Sequence, residues 1–191
     1  MAYAIYPEAA LRPRGDTDVL IAEDDEPRAR RVLERLGYDQ EPEISGRLVT
    51  SQFHYTRADR TGIRHACDVH VKIVNAQAYA NCLSYEELRR EAVCLPRLDH
   101  EALGPSAIHS LLIACEHRTA HHYDDPTVLW LFDIHLLAGS LSDAEWERTV
   151  TLSARFSFVR SAVTACVAMR SGRTGRLRPP RALRHENLSQ S

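Results

Sequence analysis

The sequence predicts an α+β fold, with strands and one amphipathic helix in the first 75 residues and helices after them. Three observations carry this expectation. Residues 47–74 hold two stretches of period-two alternation joined by a turn-forming "RADRTG". Ala29, Val32, Leu33 and Leu36 recur at i, i+3, i+4 and i+7, the spacing of one helix face. Beyond Asn75 the apolar runs have helical length, and two capping-box signatures mark helix starts.

In chain order, "DTDVLI" (Asp16 to Ile21) suits a strand entering a core. A helix follows, with Asp24 or Asp25 as its cap, Pro27 in its first turn and Gly37 at its C-terminal stop. "RLVTSQFHYT" and "IRHACDVHVKIV" read as paired strands. In the second, Val69, Val71 and Ile73 point one way while Asp68, His70 and Lys72 point the other. Ser84 with Glu87 and Ser142 with Glu145 spell the capping boxes. "SAIHSLLIACEHRTAHH", "PTVLWLFDIHLLAG" and the stretch from Asp143 to about Arg170 supply further helices. The division expected is an α/β core over 1–75, a helical region packed on it over 76–171, and a disordered basic tail over 172–191.

Composition narrows the function classes. A chain of 191 residues with net charge −2 has no global basic field, so nucleic acid is not indicated as a partner, although the Arg-rich tail leaves contact with RNA open. The five cysteines are odd in number, scattered and free of any CxxC, which argues for reduced thiols in a cytoplasmic protein. No signal-peptide pattern is expected in the first residues, and apolar stretches such as "SLLIAC" are too short to span a bilayer. Arg14-Gly15-Asp16 spells an adhesion tripeptide, but without an extracellular context a three-residue match carries nothing.

Asp16 and Asp18 share a strand face, where two carboxylates repel unless a divalent cation lies between them. Either could equally end a strand or cap a turn. Asp68 adds weight to the metal reading because it sits on the polar face of another expected strand.

These segments form an ordered series: "IYPEAALRPRGDTDVLI", "ARRVLERLGYD", "CDVHVKI", "HSLLIACEHRTAHH" and "LWLFDIHLLAG". The series resembles the uncharacterised bacterial nucleotidyltransferase family within the DNA polymerase beta-like superfamily, from about Tyr6 to about Val163. The resemblance implies a nucleotidyltransferase-like mixed sheet with flanking helices and a C-terminal helical bundle. It implies that Asp16, Asp18 and Asp68 are catalytic and bind Mg²⁺ (or Mn²⁺), with Asp68 helping to deprotonate an acceptor hydroxyl. A nucleoside triphosphate such as ATP would be the donor, and a protein, RNA or small molecule the acceptor. Gly15 would let the backbone approach the triphosphate. The superfamily's upstream Gly-Ser or Lys-Gly step has no counterpart before Asp16, so the core is expected to be truncated at its N-terminus. A non-catalytic binding or regulatory relative is the alternative expectation.

The remaining candidates keep two readings each. Arg12 and Arg14 are triphosphate partners or surface arginines. His70 orients an acid, touches phosphate or fills the sheet surface. Lys72, the single lysine, reaches a phosphate or is solvated. His117 and Asp133 either bond to each other between packed helices or line a cleft. A metal hydrolase built on His117, His121, His122, Asp124 and Asp125 ranks last, because no Glu stands between the paired histidines.

Overall fold

A computed structural model describes residues 1–42, 52–74, 82–121 and 127–155, without the side chains of 119–121. The expected disordered tail, the end of the last helix, Cys166 and the His122, Asp124 and Asp125 group lie outside the described residues.

Four strands form a mixed sheet in the order β1-β4-β3-β2: β1 (Asp16–Leu20), β2 (Asp39–Gln40), β3 (Gln52–Ala58) and β4 (Arg64–His70). β1 runs parallel to β4, and β3 runs antiparallel to both β4 and β2. The turn from β3 to β4 closes through Asp59, whose carboxylate accepts from the Thr61 and Ile63 backbone, and Gly62 takes the left-handed conformation (φ 83°). The helices are α1 (Glu26–Arg35), α2 (Tyr85–Arg90), α3 (Ala107–His121), α4 (Val128–Ser140) and α5 (Asp143–Ser153). This is the α+β architecture expected from the sequence. No helix among the described residues is long and apolar enough to cross a membrane.

Local chemistry explains the element boundaries. A short 3-10 turn over Glu23–Asp25 feeds α1, so Asp25 holds the cap position without a side-chain cap bond. Gly37 terminates α1 with φ 78°. Ser142 and Glu145 complete the expected capping box. At α2 only half of the box forms, since the Glu87 carboxylate turns to Arg155 at 2.7 Å instead of the cap. A two-strand ribbon, β5 (Val93–Cys94) with β6 (Leu103–Gly104), lies between α2 and α3. Its strands are too short for an alternation pattern to register.

Two apolar cores result. Phe53, Tyr55, Cys67 and Val69 cover one sheet face, joined by Leu33, Tyr38 and Val71. Only Leu33 of the expected α1 stripe joins that core, while Val32 and Leu36 stay exposed. The second core gathers Leu83, Leu88, Leu111, Leu112, Leu137 and Trp146 from the helices. Leu20 and Ile73 also pack against it. Val69 and Val71 thus share the sheet core as the alternation requires, and the pattern breaks between Val71 and Ile73, past the end of β4, where the chain passes to the helical core.

Glu116 of α3 is buried in the helical half, and among the described residues neither carboxylate oxygen has a hydrogen-bond partner. Burial pushes its pKa up from the ordinary 4.5 to about 7. A raised carboxyl binds its proton more tightly in the folded state, so stability is complete at low pH and falls as pH rises from 4.5 to about 7. Glu116→Gln is therefore expected to leave stability at pH 4 nearly unchanged and to raise it at pH 8 by on the order of 2–3 kcal/mol. Urea unfolding at the two pH values measures this, and an equal effect at both would contradict it.

A candidate metal and nucleotide site on the sheet

The face of the sheet opposite its apolar core is polar, and it is built by strand register. Asp18 and Asp68 are direct partners in the parallel β1/β4 ladder, while Asp16 faces Ala66 two residues earlier. On the other side of β4, His54 is opposite Asp68 and Gln52 is opposite His70. Residues i and i+2 share a face, so Asp16, Asp18, Asp68, His70, His54 and Gln52 all lie on one surface. Leu20 continues that surface into the helical core, which places the polar patch where the sheet meets the helices.

Asp68, 7% exposed, is held on two sides. The His54 Nδ1 contacts one of its oxygens, and the Gln52 amide donates to the other at 2.5 Å. The far nitrogen of His54 lies 3.8 Å from Glu41. The His70 Nε2 lies 3.0 Å from an Asp18 oxygen and holds that carboxyl below its ordinary value. Asp16 is pushed the other way, first by desolvation and then by the negative charges of Asp18 and Asp68. Three carboxylates thus crowd one surface with histidines as their nearest balancing groups.

The donor set fits a divalent cation. One ligand atom each from Asp18, Asp68 and His70 lies within 4.8 Å of the others, all able to face a common point. Asp16, expected in the same set, stands one step along β1 and outside that trio. Gly15 has open space where a Cβ would project, so none of the described residues blocks a ligand from its backbone there.

The other expected candidates separate. Arg12 is committed to Asp133: its Nε and Nη2 donate to the carboxylate at 2.8 to 3.2 Å, and the Tyr6 hydroxyl donates to the same group at 2.7 Å. Asp133 is 1% exposed, so a carboxylate among apolar neighbours is satisfied by residues from the start of the chain and not by His117. His117 is exposed and meets the Trp130 ring edge-on at 6.3 Å. It is close enough to favour the ionised form of Asp18, as is Arg12. Arg14 stacks over the Tyr3 ring and donates to its hydroxyl at 2.9 Å. Lys72 lies past the end of β4, half-buried.

His54 and Gln52 were not singled out from the sequence, and Tyr6 entered only as the start of the resemblance, with no site role. The alternation of Gln52, His54 and Thr56 against Phe53 and Tyr55 is the signal that would have found the first two. Nothing local could have found the partner of Tyr6, which is 127 residues away.

A family model described as "Uncharacterised nucleotidyltransferase" matches residues 1–170. No curated protein matches the chain.

Proposed function

Because the chain belongs to this uncharacterised nucleotidyltransferase family, we propose that it transfers a nucleoside monophosphate from a nucleoside triphosphate, ATP among the candidates, to a hydroxyl acceptor. Membership supports nucleotidyl transfer as the reaction class. Nucleotidyltransferases usually use divalent metals, and the acidic cluster on the sheet is of the kind such ions take. The observation that carries the finer reading is the Asp18–Asp68 pair in strand register, with Asp16 two residues before Asp18 on the same face.

In this reading Asp16, Asp18 and Asp68 hold Mg²⁺ or Mn²⁺. The bound cation would neutralise charge developing on the phosphate oxygens. Asp68 accepts the acceptor's hydroxyl proton as the new bond from that oxygen to the α-phosphorus forms. The bond from the α-phosphorus to the bridging oxygen breaks, and pyrophosphate leaves with the electron pair. His54 and Gln52 fix the Asp68 carboxylate for that task, each contacting a different oxygen. Gly15 leaves room for the triphosphate against the backbone. Arg12, bound to Asp133, contributes positive charge toward Asp18 from a fixed position.

The test couples binding to turnover. Mg²⁺ or Mn²⁺ at 100 times its Kd is expected to stabilise the protein by about 2.7 kcal/mol. A nucleoside triphosphate should stabilise it further only with the ion present, and pyrophosphate should be released once an acceptor is supplied. Melting curves indifferent to both ions would remove the metal site. A metal response with neither nucleotide binding nor pyrophosphate release would instead identify a non-catalytic relative.

A further inference from the structure

We propose that His70 is itself a ligand of the cation, together with Asp18 and Asp68, and that this chain therefore selects Mn²⁺ over Mg²⁺. The inference rests on the metal reading above and deepens it. Its first support is spacing. The His70 Nε2 and the Asp18 oxygen are 3.0 Å apart. Two neighbouring ligands of one octahedral ion, each about 2.1 Å from it, are separated by about 3.0 Å. Without an ion the same separation serves a hydrogen bond, so the imidazole is poised for either state.

The second support is the fold. His70 ends β4 in register with Leu20 and Gln52, and its carbonyl accepts from the Ile21 amide at 2.9 Å. The backbone that carries the ring is thus fixed between two strands. Asp68 is two residues away on the same face, and its oxygens keep spare lone pairs beyond the His54 and Gln52 contacts. Asp16 points from a position nearer the start of β1, beside Ala66. At the Asp18 and Asp68 end of the patch, the third donor within reach among the described residues is an imidazole and not a carboxylate.

The chemistry then sets the ion. Carboxylate and water suit Mg²⁺ and Mn²⁺ alike, but Mg²⁺ favours an all-oxygen shell whereas imidazole suits transition metals, the class to which Mn²⁺ belongs. A mixed Asp-Asp-His set open to phosphate oxygens therefore favours Mn²⁺ among ions that serve phosphoryl chemistry.

Pulsed EPR of the full-length protein loaded with Mn²⁺ alone tests this without reference to turnover. The wild type is expected to show ¹⁴N modulation from a directly bound nitrogen. The modulation should vanish in His70→Ala and His70→Asn and persist in His54→Ala. By calorimetry, His70→Ala should weaken Mn²⁺ binding by at least the roughly 10- to 100-fold that loss of a ligand-orienting group alone costs. Mg²⁺ binding should weaken less, so the preference collapses. Bound Mn²⁺ without ¹⁴N modulation, or modulation that survives both His70 variants, would overturn the proposal and leave the carboxylate metal site standing. Absence of any saturable Mn²⁺ binding would overturn that site as well.

Discussion

Asp68→Asn is expected to lower nucleotidyl transfer by roughly 10²- to 10⁴-fold, the usual contribution of a positioned proton acceptor. The substitution is nearly isosteric, and an amide in that place can still meet His54 and Gln52, which now contact the two carboxylate oxygens. The sheet should therefore survive, and the loss should fall on kcat more than on the KM for the nucleotide. Pyrophosphate release under saturating nucleotide and metal measures the effect. A rate within a few-fold of wild type, with far-UV circular dichroism unchanged, would take Asp68 out of the chemistry.

That expectation draws on a part of the site that was legible in the sequence. Asp16, Asp18 and Asp68 could be read because strand periodicity puts i and i+2 on one face and because each interrupts or flanks an apolar alternation. Helix α1, the turn at Gly62 and the box at Ser142 were legible for the same kind of reason, each resting on interactions within a few residues. Pairing between strands was not. The register that sets Asp18 against Asp68, and His54 against Asp68 on the other side, is decided by packing of Phe53, Tyr55, Cys67 and Val69 and by the turn at Asp59. The fate of Asp133 was least legible. Its apolar neighbours Trp130, Leu131, Phe132, Ile134 and Leu136 pointed to a packed neighbour or a cleft, with His117 on the preceding helix as the suggested partner in the first case. The structure gives it Arg12 and Tyr6 instead, 121 and 127 residues away. Of the two arginines before the carboxylates, Arg12 is bonded to Asp133 and Arg14 stacks on Tyr3.

That frame yields the second large effect. Asp133→Ala is expected to destabilise the protein by about 3–5 kcal/mol, because it leaves a mostly buried guanidinium and a buried phenol without their shared acceptor. The opening segment is held at two points: Tyr6 and Arg12 bind α4 through Asp133, and Arg97 donates to the Tyr6 and Pro7 carbonyls at 2.5 and 2.7 Å. Arg12 is four residues before Asp16, so the same bond that anchors the segment also fixes where β1 begins relative to the helices. Two readouts follow. Unfolding in urea gives the stability loss, and a cycle with Arg12→Ala should show strong coupling, since either substitution alone strands the other partner. The second readout is local. Tyr6 is pushed up to about 12, first by burial and then by its hydrogen bond to Asp133. In Asp133→Ala its titration should move back toward the ordinary value of 10. If the segment also lifts from α4, Asp16 and Asp18 lose their fixed start and the metal response should weaken with no ligand altered. Stability within about 1 kcal/mol of wild type and an unmoved phenol would mean that the clasp carries no weight. An intact metal response in a variant that is measurably destabilised would show that β1 is held by its ladder to β4 alone.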